Sequence, residues 1–139
     1  MPYRRAFAEL DRSSFDGVSI LLADDFEPWR AQVRSFLQRE TASTIVSEAS
    51  DGLEAVQKAE ELHPEIILLD LYMPSLNGFE AAKKIRKLSP DSRIIFLSMD
   101  GDEGVIAAAL ETGAVGFVLK SEMHSGLMPA IRASLRAKP

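Results

Sequence analysis

The chain has 139 residues, 46% hydrophobic and 27% charged, which is material for one domain with a buried core. Its net charge of −5 argues against nucleic acid as a direct partner, and the absence of cysteine excludes disulfides, thiolate zinc sites and cysteine nucleophiles. No apolar run approaches the roughly 20 residues of a membrane helix, and Arg4-Arg5 leads into Glu9, Asp11 and Arg12 rather than an apolar signal core, so the expectation is a cytoplasmic protein with no membrane partner.

Residues 1–16 are polar and mixed and read as a loosely held N-terminal extension, leaving 17–139 as the folded domain. Five repeats of strand then helix follow. Val18 to Ala23 is apolar and β-prone and stops at Asp24-Asp25. Pro28 sits where a first helical turn tolerates it, and Trp29, Val33, Phe36 and Leu37 then fall at helical spacing. Thr44-Ile45-Val46 is a weaker strand, placed near an edge. Asp51-Gly52 opens a second helix carrying Leu53, Val56, Ala59 and Leu62, which His63-Pro64 ends.

The central stretch is Ile66-Ile67-Leu68-Leu69-Asp70, four apolar residues running into one carboxylate between Pro64 and Pro74. So short an apolar run reads as a strand buried on both faces. Asn77-Gly78 starts a third helix with Phe79, Ala82 and Ile85 on one face, broken by Ser89-Pro90-Asp91. Ile94 to Leu97 is the fourth strand with Ser98 at its end, and a helix over about 102–112 carries Val105, Ile106, Ala109 and Leu110 before Gly113 caps it. Val115 to Leu119 is the fifth strand, ending at Lys120, and Leu127, Ile131 and Leu135 mark the last helix. Alternation of this kind predicts right-handed crossovers, a five-stranded parallel sheet and helices on both faces: an α/β fold, specifically a three-layer α/β/α sandwich.

Parallel strands place their carboxyl ends on one rim, where open sheets bind ligands. That rim collects Asp24-Asp25, Asp70, Ser98 and Lys120. Three carboxylates at close quarters repel unless a cation intervenes, and a hard divalent ion with oxygen ligands, Mg²⁺, suits them. With the ion, Asp70 is a usable nucleophile towards phosphorus. Mg²⁺, Lys120 and the Ser98 hydroxyl would then neutralise the three equatorial phosphoryl oxygens. Each residue alone has a plainer account: an acidic pair complementing a helix dipole, an aspartate or serine cap, a solvated lysine. Their joint placement at four strand ends favours a shared site.

With those residues assembled, the sequence resembles the response-regulator receiver family, the CheY-like domains of two-component signalling, over about residues 18–137. The motifs are Leu-Leu-Ala-Asp-Asp (21–25), Leu-Leu-Asp-Leu-Tyr-Met-Pro (68–74), Asn-Gly (77–78), Phe-Leu-Ser (96–98) and Gly-Ala-Val-Gly-Phe-Val-Leu-Lys (113–120). The resemblance implies a flavodoxin-like sheet of order 2-1-3-4-5. It also implies that Asp70 accepts a phosphoryl group from a sensor histidine kinase or phosphotransfer protein. Asp25 would bind Mg²⁺ directly, Asp24 mostly through water, and Tyr72 through its carbonyl. Ser98 and Phe117 match the switch pair that alters the fourth helix, fifth strand and fifth helix, where an effector reads the state; Phe117 as plain core is the alternative. Residues 113–137, including Ala130-Ile131-Arg132, look most like receivers that precede LuxR-type DNA-binding domains, so the expectation is a free-standing or an excised receiver, with homodimerisation through the last helix an option.

Departures from the family pattern carry expectations of their own. Ser121 stands where many members have proline, so Lys120–Ser121 is expected trans. Tyr72 and Asp100 flank the site and are expected to set the lifetime of the aspartyl phosphate. His63 and His124 read as surface or turn residues, and Gly52 and Gly78 as turn glycines. Two rivals stay open: a Mg²⁺-dependent phosphohydrolase with an aspartyl nucleophile, although no inserted segment supplies a substrate cap, and an unphosphorylated interaction module. The expected class is a phosphoacceptor that assists its own chemistry rather than an enzyme.

Overall fold

The computed structural model describes residues 17–41 and 45–137; the expected extension 1–16, and Thr44 of the expected second strand, lie outside them. Five strands alternate with five helices: β1 (Ser19–Ala23), α1 (Glu27–Glu40), β2 (Ile45–Ala49), α2 (Gly52–Leu62), β3 (Ile66–Leu69), α3 (Gly78–Leu88), β4 (Arg93–Ser98), α4 (Glu103–Glu111), β5 (Gly116–Leu119) and α5 (Met123–Arg136). All pairings are parallel and the order is β2-β1-β3-β4-β5, as the resemblance implied. Among the described residues, no helix is long and apolar enough to cross a membrane.

Burial makes β3 an interior strand. Ile66, Ile67, Leu68 and Leu69 are all fully buried, so β3 must have a strand on each side and a helical layer on each face. Successive side chains alternate between those layers. Ile67 and Leu69 join Ala55, Ala59, Ala82, Ile85 and Ala109, the inner faces of α2, α3 and α4. Ile66 and Leu68 join Val33, Phe36, Leu37, Leu127 and Ile131, the inner faces of α1 and α5. β2 is an edge, as expected, but it runs on through Ser47 and Glu48, polar residues that hid its length in the sequence.

Caps fix the loops that follow the strands. Asp51 and Asn77 accept from the N–H groups of Glu54 (2.8 Å) and Glu80 (2.9 Å), and Asp102 accepts from Gly104 (2.9 Å). Gly113 has φ +99° and closes α4 as predicted. Two glycines need a correction. Neither Gly52 nor Gly78 has a positive φ; both are the first residue of a helix pressed against backbone. A Cβ on Gly52 would lie 1.8 Å from the Leu76 carbonyl oxygen, and one on Gly78 would lie 2.1 Å from that of Asp70. Their role is close approach, not turn geometry. The Lys120–Ser121 peptide is trans. His63 and His124 are exposed, His63 ending α2 in a left-handed conformation and His124 set edge-on against Phe36.

Candidate functional site

The parallel ladder continues one step past β1 and β3. Asp24 donates its N–H to the Ala49 carbonyl and Asp70 donates to Ala23, both at 3.0 Å, so the two aspartates stand side by side at the rim. Asp25 follows on the first loop. Carboxylate oxygens of Asp24, Asp25 and Asp70 lie within 4.8 Å of one another. Asp24 and Asp70 are buried and Asp25 is exposed.

Lys120, delivered by β5, reaches across the rim. Its Nζ sits 2.6 Å from Asp24 Oδ2 and 3.8 Å from Asp70 Oδ2. One ammonium against three carboxylates leaves an excess of negative charge. At Asp70, burial above all pushes the carboxyl up from 3.8 to about 6; Lys120 opposes that rise, Asp24 and, less, Asp25 add to it, and the Leu71 N–H on Oδ1 pulls it back. That oxygen accepts from Leu71 at 2.9 Å, so Oδ2 is the one turned towards Lys120. Every protein donor atom is a hard oxygen, and the unbalanced charge calls for a divalent cation; the set fits Mg²⁺.

Ser98 ends β4, fully buried, and its Oγ accepts from the Asp100 N–H at 3.1 Å. Phe117 on β5 is half-buried beside Phe96, ring centroids 6.5 Å apart, and Phe96 in turn packs on Phe79. Phe117 therefore belongs to the core edge as well as flanking the rim. Tyr72 is 55% exposed, and its hydroxyl donates to Asp100 Oδ2 at 3.0 Å, a bond that raises the Tyr72 pKa. The two residues expected to set the lifetime of the aspartyl phosphate touch each other.

Three features escaped the sequence. A groove of about 450 Å³ adjoins the rim, lined by Phe26, Pro28, Trp29, Gln32, Met99 and Lys120 among others, with Met99 84% exposed. The Lys120 ammonium lies 5.2 Å from the Trp29 ring centroid. Arg30 joins the Asp24 carbonyl to Glu48. For the last there was a signal: a glutamate within a strand, and arginines at 30 and 34 on one face of a helix.

Comparisons with known proteins agree with this geometry. The transcriptional regulatory protein LiaR of Bacillus subtilis (strain 168) is 36% identical over 122 residues, which are 88% of this chain and 58% of LiaR. The chain thus spans little more than half the length of that curated relative. The crystal structure of the response regulator domain of Thermotoga maritima CheB superposes with a TM-score of 0.82 at 34% identity, covering 88% of this chain and 99% of that one. A two-component response regulator of the LuxR family from Aurantimonas sp. SI85-9A1 gives 0.81 at 33% identity, with 86% of both chains covered. Residues 20–132 match the response regulator receiver domain, and the chain belongs to that family, the receivers of two-component signalling.

Proposed function

We propose that Asp70 is the phosphoacceptor and takes its phosphoryl group from a phosphohistidine on a sensor kinase or phosphotransfer protein. Asp70 Oδ2 attacks phosphorus, the P–N bond breaks, and the leaving imidazole recovers a proton. Asp24, Asp25, Asp70 and the Tyr72 carbonyl would hold Mg²⁺, which supplies charge neutralisation to the transferring group. Lys120 neutralises a second phosphoryl oxygen and Ser98 donates its hydroxyl to a third. One observation carries this reading: three carboxylates within 4.8 Å with a single lysine reaching two of them.

Capture of Ser98 by the phosphoryl group would draw Phe117 inward and shift a pre-existing equilibrium at the face of α4, β5 and α5, where an effector docks. That effector is a further domain of the same regulator or a separate protein; a second copy of the chain pairing through α5 belongs to the same proposal, as does a cytoplasmic location. The test is acetyl phosphate with Mg²⁺ followed by intact mass. One phosphoryl adduct is expected, lost in Asp70→Asn and in EDTA. An unmodified protein would leave an interaction module, and steady turnover of phosphomonoesters would indicate a phosphohydrolase.

A further inference from the structure

We propose that Arg30 is a positioning residue for the acidic rim and that Glu48 is the counter-charge that lets a guanidinium stand there. The inference rests on the cation-assisted role of Asp24, Asp25 and Asp70 above. Arg30 lies in the first turns of α1, its side chain 14% exposed. Nη1 donates to the main-chain carbonyl of Asp24 at 2.6 Å, and Nε donates to Glu48 Oε1 at 2.9 Å. Glu48 is the penultimate residue of β2, and its other oxygen accepts from Arg34 Nη1. Its main-chain carbonyl accepts from Lys58 of α2.

Two observations make this more than a surface ion pair. First, the turn from β1 into α1 lacks the usual fastening. Helices α2, α3 and α4 open on the side-chain caps Asp51, Asn77 and Asp102, whereas α1 and α5 open on Phe26 and Glu122 with no side-chain cap. The turn is held instead by the Phe26 N–H on Asp24 Oδ1 (2.8 Å) and by Arg30 on the Asp24 carbonyl. That peptide joins Asp24 to Asp25, so its orientation sets where both carboxylates point. Second, an unpaired guanidinium on the Asp24 main chain would add positive charge next to the rim and disfavour a divalent ion there. Glu48, which it shares with Arg34, offsets part of that charge while leaving the Arg30 bond to the Asp24 carbonyl in place. The arrangement fixes geometry without neutralising the site.

The two roles have opposite signs, which makes them separable. On charge alone, Arg30→Met removes a cation and should tighten Mg²⁺ binding; if Arg30 positions the turn, binding weakens. The experiment is calorimetric titration of the full chain with Mg²⁺, with the thermal midpoint in EDTA recorded for each variant. Arg30→Met is expected to raise the Mg²⁺ Kd about tenfold, and Arg30→Lys, which keeps the charge and one donor, to recover part of the loss. Glu48→Gln is also expected to weaken binding, by an amount that shrinks between about 0.05 and about 0.5 M salt, whereas the Arg30→Met loss persists.

Wild-type-like or tighter binding in a folded Arg30→Met protein overturns the proposal and leaves the phosphoacceptor assignment intact. Should that variant not fold, Arg30→Lys and Glu48→Gln decide: unchanged Kd in both overturns it. A wild-type chain that neither binds Mg²⁺ nor accepts a phosphoryl group sinks the site assignment and this inference together.

Discussion

Replacing Asp70 with asparagine should stabilise the metal-free protein at neutral pH while abolishing its capacity to be phosphorylated. Burial, opposed by Lys120 and aided by Asp24 and Asp25, raises the Asp70 carboxyl from 3.8 to about 6. At about 1.4 kcal/mol per pH unit, keeping Asp70 ionised above that value costs the native state about 3 kcal/mol relative to the unfolded chain. The sign follows from proton uptake. Between 3.8 and about 6 the native protein holds a proton that the unfolded chain has released, so stability falls as pH rises through that window and levels off above it. Asparagine carries no charge, but its single oxygen can serve either the Leu71 N–H or Lys120, not both, which takes back about 1 kcal/mol. The net expectation is that Asp70→Asn is more stable by about 2 kcal/mol at pH 7.5 and less stable by about 1 kcal/mol near pH 4. Urea unfolding in EDTA across this range reads the crossover directly, and added Mg²⁺ should shrink the neutral-pH gap by binding the wild type. A stability difference that does not vary with pH would refute the claim that the rim is held under electrostatic tension.

Gly78→Ala should destabilise by more than about 2 kcal/mol in urea unfolding, and slow adduct formation at Asp70, because its Cβ would sit 2.1 Å from the Asp70 carbonyl oxygen and 2.8 Å from Leu71 Cα. An alanine variant of unchanged stability would mean that α3 can slide without disturbing β3. Tyr72→Ala and Asp100→Ala should each change the rate of phosphate release from phosphorylated Asp70. Because the two side chains share one hydrogen bond, the double variant should resemble the singles rather than their sum. Release rates that stay at the wild-type value in both singles would end the idea that this pair governs water access.

The parts of the site legible in the sequence are those where an apolar run stops at a polar residue. Ile66–Leu69 into Asp70 and Ile94–Leu97 into Ser98 are such cases, since burial on both faces leaves no other place for the polar group than the rim. Strand order came from the resemblance, because no pattern within a single parallel strand names its neighbours. What stayed hidden depends on pairs of elements distant in sequence. Glu48 drew no reading from the sequence, and its role shows only when α1 is laid against β2 and brings Arg30 and Arg34 onto its two oxygens. Gly78 reads as a turn until the Asp70 carbonyl is seen beneath it. The groove is assembled from the β1–α1 loop and α1, Met99 after β4, and Lys120 and Ser121 after β5, none of which is unusual alone.

The three aspartates are not equivalent, and the difference suggests how the rim divides its work. Asp24 has a partner on every polar atom: its N–H on Ala49, its carbonyl under Arg30, Oδ1 under the Phe26 N–H and Oδ2 under Lys120. Asp25 is exposed, and among the described residues Asp70 Oδ2 has Lys120 at 3.8 Å. A cation at the proposed site would therefore meet Asp25 and Asp70 directly, while Asp24 would serve it through water or by surrendering Lys120. Lys120 is the element with two places to go. On the proposed reading, a phosphoryl group on Asp70 would offer it a stronger anion than Asp24, and its departure from Asp24 would free an acceptor for the cation's hydration shell. The burial of Ile66, Ile67, Leu68 and Leu69, at roughly 1.5–3 kcal/mol each, exceeds the roughly 3 kcal/mol of tension at Asp70. The strand can thus present a buried carboxylate at the rim, and on the proposed reading a phosphoryl group there would raise the local negative charge further, which Lys120 and a divalent cation would have to balance.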